Sequence, residues 1–280
     1  MNAGICTMPL LPVRSEPSER SEMTTQLLFG ELFEVLEEKG TWSRIKNVTD
    51  GYTGWATTKM LLKLTPAQFK ELTTAVPYLT RFVVTPCFPE GNETIPRLFI
   101  PAGSRLYDFD ETSGVFSFFR LRTITDNTKE VKKEKWFINA HIGTITNSFS
   151  STYAPKSIID NAFCFLHAPY LWGGKSIFGI DCSGFVQIVF SFLGINLPRN
   201  ARDQALIGEP VPDLSAVKTA DLAFFADAEG RVVHVGILID PYHIIHASGD
   251  VHFDTFDYHG IYSEKMKQYT HLLWGVRRVL

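Results

Sequence analysis

Cysteine is scarce in this chain. There are four in 280 residues, Cys6, Cys87, Cys164 and Cys182, widely spaced and with no CxxC pair. That pattern excludes a disulfide scaffold at this size, argues against a structural zinc site, and points to a reducing compartment. Long apolar runs are also missing. None approaches the length needed to span a bilayer, so a soluble protein is expected. There is no basic or acidic tail, and the formal net charge is only -3, which speaks against a nucleic-acid or membrane-surface partner. The start, Met1-Asn2-Ala3-Gly4-Ile5-Cys6, lacks a basic segment followed by an apolar one, so no signal peptide is read there. The expectation is a cytoplasmic monomer, with a periplasmic or secreted location as the alternative if a leader has been removed. What is present is ordinary globular material, 45% hydrophobic and 20% charged, in a length that suggests two or three domains.

The texture divides the chain at about 64 and 150. Up to Leu64 the pattern is of short strands: Leu27 to Leu36 is apolar around Gly30, Trp42-Ser43-Arg44-Ile45-Lys46 alternates, and Asp50-Gly51-Tyr52 sets a turn before Thr53-Gly54-Trp55-Ala56. Such strands point to a small barrel. Thr65 and Pro66 make a helix start for a connector. Residues 77–150 again read as strands and turns, with Lys132-Lys133-Glu134-Lys135 taken as a solvated turn. Asn147-Ser148-Phe149-Ser150-Ser151-Thr152 is a polar boundary. Beyond it, a helix from Lys156 to Phe165 and a second after Cys182 precede several strands, an α+β order. The domains are therefore 1–64, 65–150 and 151–280.

Chemistry concentrates at Gly179-Ile180-Asp181-Cys182-Ser183-Gly184-Phe185-Val186-Gln187. Phe185, Val186, Ile188, Val189, Phe192 and Leu193 recur at helical spacing, and Asp181 and Ser183 are good N-cap residues, so Cys182 sits at the first turn of a buried helix. A helix N-terminus favours an anion and lowers a thiol's pKa. The alternative reading is a small buried hydrophobe. A nucleophilic thiol needs a base and a group to orient that base. His234 interrupts an apolar strand beside Gly236, and His246 precedes Ala247-Ser248-Gly249 on the next strand. If the intervening hairpin is centred on Pro241, residue 236 faces 246 and both imidazoles project from one face. A two-residue turn puts them on opposite faces, and the sequence leaves that register open. His243, His252, His259 and His271 read as ordinary histidines of this half.

Tyr170-Leu171-Trp172-Gly173-Gly174, the Asp181–Gln187 run, Pro198-Arg199 with Gln204, Asp221-Leu222-Ala223-Phe224-Phe225, His234-Val235-Gly236-Ile237 and Ile245-His246-Ala247 together resemble the NlpC/P60 cysteine peptidases. The first sixty residues, with Arg14-Ser15-Glu16-Pro17-Ser18, Trp42-Ser43-Arg44-Ile45 and Gly51-Tyr52-Thr53-Gly54-Trp55-Ala56, resemble a bacterial SH3 (SH3b) domain. The combination is similar to the γ-D-glutamyl-L-diamino acid endopeptidases of the YkfC type. The resemblance implies a papain-like catalytic domain preceded by two small SH3-like β-barrels.

It also implies roles. Cys182 is the nucleophile, His234 the base, His246 the residue that orients it, and Tyr170 an oxyanion-stabilising hydroxyl. Trp172 walls the cleft, Asp181 holds the free amine of a leading L-alanine, and Ser183 contacts the D-glutamyl carboxylate. Tyr52 and Glu22 of the first domain reach the L-alanine end, with Glu16 and Glu19 as alternatives to Glu22. Ala201 departs from relatives that carry a serine there. The implied activity is cleavage of the γ-D-Glu–diamino acid bond of free murein peptides in cell-wall recycling, with no metal or organic cofactor. The rivals are a hydrolase of intact peptidoglycan stems anchored by its SH3b domains, and an inactive SH3b binding protein.

Overall fold

The structure is a computed structural model that describes residues 2–91, 94–125, 128–138, 145–146 and 154–280. It falls into two compact units, Met1–Asn147 and Ser148–Leu280. The polar stretch Asn147 to Thr152, where the sequence places a boundary, lies outside the described residues.

In the first unit, seven strands between Ala3–Ile5 and Leu62–Leu64 form one antiparallel sheet. Its core is Leu11, Val13, Leu27, Phe33, Ile45 and Ala56, the inward positions of alternating strands. Helix Pro66–Thr74 follows, as its start signals predict. Thr65 accepts from the Gln68 backbone and Gln68 reaches back to the Thr65 backbone, a reciprocal capping box.

A second seven-stranded sheet runs from Tyr78–Thr80 to Ile145–Thr146. Here one expectation fails. Lys132 to Lys135 are not a turn but part of strand Thr128–Phe137, paired along Val115–Thr125. None of the four charges is buried, and Lys133 bonds both Asp108 and Glu71, so a charge run is compatible with a strand exposed along this stretch.

The second unit is α+β, as its order of elements predicts. A seven-stranded antiparallel sheet carries helices Ala154–Phe163 and Cys182–Ser191. The Cys182 helix is buried nearly all round: Phe185, Val186, Val189 and Phe190 are fully enclosed, which is why its sequence is apolar on every face. It packs against strand Val232–Asp240, and that contact brings thiol and imidazole to one place.

Candidate active site

Asp181 is the N-cap of the Cys182 helix, and its side chain accepts from the Gly184 N–H at 2.7 Å. The same carboxylate accepts from the Gly173 N–H at 2.8 Å and takes a bidentate fork from Arg199 at 2.9 and 2.6 Å. Arg199 also donates to Ser183 Oγ at 2.9 Å, and Ser183 Oγ lies 3.3 Å from Asp181 Oδ1. Asp181, Ser183 and Arg199 are all buried. Five donors thus converge on one carboxylate, which has about four lone-pair positions. A substrate amine at Asp181 would share oxygens already neutralised by Arg199.

Two glycines permit this close packing. A Cβ on Gly184 would stand 2.4 Å from the Gly174 carbonyl oxygen, and Gly173 has φ +77. Ala201 opens the short helix Ala201–Gln204 and is buried, while Gln204 donates to the Ser183 carbonyl at 3.0 Å and thereby ties that helix to the Cys182 turn.

Cys182 is buried, and its sulfur accepts from the backbone N–H groups of Ser183 and of Val235, the neighbour of His234. The helix-start reading anticipates a depressed thiol pKa. Burial reverses that: desolvation, followed by the charge of Asp181, pushes Cys182 up to about 12, against the smaller opposing pull of the two N–H groups and Arg199. The His234 imidazole is likewise buried, and desolvation together with His246, His271 and His252 holds it well below the usual histidine range. Burial thus disfavours the charged form of each group, the thiolate of Cys182 and the imidazolium of His234.

The hairpin between the two histidine strands resolves the open question of register by a route the sequence did not offer. Gly236 pairs with His246 and Leu238 with Ile244, but Asp240 pairs with His243. The turn is a two-residue one, and a bulge between Leu238 and Asp240 restores the register that puts His234 and His246 on one face. Their rings meet with His234 Nε2 2.8 Å from His246 Nδ1. Gly236 makes room: a Cβ there would lie 2.9 Å from the His246 Cβ.

Three participants were given no role from the sequence. Asp254, on strand Asp250–Phe256, places Oδ2 3.3 Å from His246 Nε2. Burial works to raise its pKa, but the hydrogen bonds and charges of His246 and His252 together outweigh it and hold Asp254 below the usual carboxylate range, so it is a carboxylate. A carboxylate only accepts. His246 therefore carries its proton on Nε2, its Nδ1 accepts from His234 Nε2–H, and the free lone pair of His234 is on Nδ1. The second is His271, which stacks on His234 with ring centroids 4.1 Å apart and is itself lowered to about 4 by burial and then His246. The third is Arg199, present in a quoted motif but without a role. The signal for Asp254 was its spacing of two from His252 on an alternating stretch, legible only once that stretch is known to be a strand.

Tyr170 and Trp172 lie on the loop before this helix. Tyr170 is part-buried, its N–H donates to the Gly249 carbonyl at 2.8 Å, and burial together with Cys182 and Asp181 raises its phenol, which stays a neutral donor. Trp172 is 58% exposed. Tyr52 and Glu22 belong to the first unit. Tyr52 is part-buried beside the Asp50 turn, with its N–H on Asp50 Oδ1 at 3.0 Å, and Glu22 is exposed. Of the alternatives to Glu22, Glu19 is held by Arg14 at 3.3 Å.

Known proteins carry the same architecture. The model of the NlpC/P60 family matches residues 167–274, and that of the bacterial dipeptidyl-peptidase SH3 domain matches residues 13–61. A γ-D-glutamyl-L-lysine dipeptidyl-peptidase of Bacillus subtilis is 30% identical over 235 residues, covering 80% of this chain and 71% of the relative. The protein of that name from Bacillus cereus is 27% identical over 238 residues, covering 81% and 68%. The crystal structure of an NlpC/P60 family protein from Bacillus cereus superposes with a TM-score of 0.78 over 99% of both chains at 22% identity, a likeness of fold. A cysteine at a helix start, two histidines joined ring to ring on the facing strands, and a relative of this identity across most of both chains have one common reading: the chain belongs to the NlpC/P60 family of cysteine peptidases and carries a bacterial SH3 domain ahead of its catalytic unit.

Proposed function

We propose that this enzyme cleaves the bond between γ-D-glutamate and the diamino acid in free murein peptides of the form L-Ala-γ-D-Glu-Lys or its diaminopimelate counterpart, as a step in cell-wall peptide recycling. The observation that carries a peptidase mechanism is the linked chain His234–His246–Asp254 on the strand whose Val235 N–H, next to His234, reaches the Cys182 sulfur. Substrate class is supported by the name of the Bacillus subtilis relative, and a reducing compartment by four free cysteines.

In this mechanism Cys182 Sγ attacks the γ-carbonyl carbon as its proton passes to His234 Nδ1. The imidazolium that forms is stabilised through His246 by the Asp254 charge. The tetrahedral oxyanion is met by the Tyr170 hydroxyl, a neutral donor suited to that task. The C–N bond then breaks as His234 returns the proton to the leaving amine, leaving a thioester on Cys182. Water, deprotonated by His234, releases L-Ala-D-Glu and restores the thiol. Burial disfavours both charged forms, which favours proton transfer in step with attack.

The test is release of the diamino acid from L-Ala-γ-D-Glu-Lys and from its N-acylated form, with Cys182→Ala as the blank. Turnover of the free tripeptide alone supports the reading. Equal turnover of the acylated peptide favours the hydrolase of intact stems, whose amines are acylated. Tyr52 and Glu22 enter the proposal as recognition residues on motif resemblance alone. A raised KM in Tyr52→Ala supports that role, and unchanged kinetics removes it.

A further inference from the structure

Behind the catalytic pair, His246, His252 and Asp254 form a compact group whose ligating atoms all lie within 4.8 Å of one another. We propose that these three side chains bind a divalent transition-metal ion of the zinc class, and that the bound ion inhibits the peptidase by reversing the tautomers of His246 and His234.

The geometry begins with strand pairing. His246 stands directly opposite His252, and Asp254 is two residues further along the same strand, so all three project from one face. Asp254 Oδ2 is 3.3 Å from His246 Nε2 and 3.2 Å from His252 Nε2. Zinc bonds of about 2.0–2.1 Å to nitrogen and oxygen in a tetrahedron place ligand atoms about 3.3–3.4 Å apart, so two edges of the coordination polyhedron already exist. Two imidazoles and a carboxylate with a fourth position for water are a familiar zinc ligand set.

The hydrogen bonding around His252 is a second, independent pointer. Its Nδ1 lies 3.0 Å from the Asp250 carbonyl oxygen and 3.0 Å from Asp250 Oδ1, while its Nε2 faces Asp254. Both ring nitrogens therefore face acceptors. In the neutral tautomer that donates Nδ1–H to Asp250, the Nε2 lone pair is directed at Asp254 Oδ2, where a metal ion can take the place a second proton would fill. A cation between Nε2 and Oδ2 turns that contact into coordination. Donation of the other ring N–H to a carbonyl or carboxylate is also the usual support of a metal-bound histidine. His252 is part-exposed, with 29% of its side chain accessible, and forms the entry side, whereas His246 is buried.

The consequence for catalysis follows from proton placement, and it rests on the proposed role of His234 as base. Coordination at His246 Nε2 moves that ring's single proton to Nδ1, which then donates to His234 Nε2. His234 must now accept there and carry its own proton on Nδ1, the nitrogen that receives the thiol's proton. No net proton leaves. Each ring exchanges one tautomer for the other, and the base is lost without any ligand touching Cys182. The ion is an inhibitor here, not a cofactor.

Binding and inhibition are tested separately, so that this proposal and the peptidase reading fail in different ways. Co2+ is titrated into full-length Cys182→Ala, and the visible spectrum is followed. One equivalent bound with tetrahedral ligand-field bands is expected, lost in the Cys182→Ala/His252→Gln double variant. In the chain with Cys182 present, the same bands should appear without a thiolate-to-cobalt charge-transfer band. In the tripeptide assay, Zn2+ should inhibit reversibly, with chelator restoring activity. His252→Gln, measured against its own metal-free rate, should require about tenfold or more zinc for half inhibition. Failure of Cys182→Ala to bind Co2+, or a thiolate charge-transfer band in the parent chain, overturns the proposal by placing the metal on the nucleophile. Zinc sensitivity unchanged in His252→Gln overturns it as well. The Co2+ arm reads the site even if the chain turns over no peptide.

Discussion

Asp254 shows how a residue two bonds removed from the chemistry decides which nitrogen performs it. Its charge places protons on His246 Nε2 and His234 Nε2 and leaves the His234 Nδ1 lone pair free, the atom that acts as base in the proposed mechanism. Replacing it by asparagine keeps the shape and removes the charge. A hydrogen bond to a charged group contributes about 1.5–3 kcal/mol, so Asp254→Asn should lower kcat by roughly 10–100-fold with little change in KM, measured on the tripeptide. His234→Ala should be far more damaging than His246→Gln, because an amide at 246 can still accept from His234 Nε2. Equal losses in the two would remove the distinction between base and orienting residue. The thiol makes a pH prediction. With Cys182 pushed up to about 12 by burial and Asp181, the neutral form dominates below that value and the thiolate fraction grows throughout the accessible range. Alkylation of Cys182 in the resting enzyme should therefore keep rising with pH past the free-thiol value of about 8.5 and show no plateau there. A plateau below neutrality would establish a resting ion pair.

At the scale of elements, the site is an encounter between one helix start and one pair of strands. The helix supplies the thiol and the N–H of Ser183, and strand Val232–Asp240 supplies His234 and the N–H of Val235. The helix itself was legible in advance: apolar residues at helical spacing, an Asp cap and a following Gly194. The hairpin was not. Its turn is of the length that should separate the two histidines, and the bulge beside Asp240 brings them back together. A bulge has no dependable signature in one sequence because it is a response to the pairing around it. Gly236 is the point where that pairing can be probed. In Gly236→Ala the new Cβ lies 2.6 Å from Ile244 Cδ1 and 2.9 Å from the His246 Cβ, so one strand must shift. A loss of about 1–3 kcal/mol in thermal or denaturant unfolding is expected, with a kcat loss larger than any change in KM because the ring contact moves.

At the scale of the whole molecule, the first unit is more than two small barrels in a row. Phe29 comes from the first sheet but packs edge-on against Phe116 and Phe118 in the core of the second, at ring separations of 6.3 and 5.1 Å. Next to it, Gly30 with φ +80 lets the chain pass so close to Arg105 that a Cβ would meet its carbonyl oxygen at 2.0 Å, and Tyr107 Oη donates to the Gly30 carbonyl at 3.1 Å. A second shared cluster joins Ile5, Leu32, Leu62, Leu64 and Leu72 to Tyr107 and Phe119. The texture of the sequence draws a boundary at 64/65, yet side-chain packing runs across it. Residues 1–147 should therefore unfold in one cooperative transition. Phe29→Ala should lower its stability by about 3–5 kcal/mol, read by calorimetry. Two separated transitions for the two sheets, with only the first moved by the substitution, would contradict a shared core.

What this sequence determined by itself was local: the α+β order of the second unit, the capped helices at Thr65 and Asp181, the Cys182 turn and the candidate histidines, because spacing and capping act over a few residues. Tertiary structure alone decided the rest. The register that joins His234 to His246, the approach of Asp254 and His271, the Arg199 fork on Asp181 and the sharing of Phe29 all depend on residues far apart in the chain. So does the balance acting on the thiol's pKa, since a helix start pulls it down and burial pushes it up.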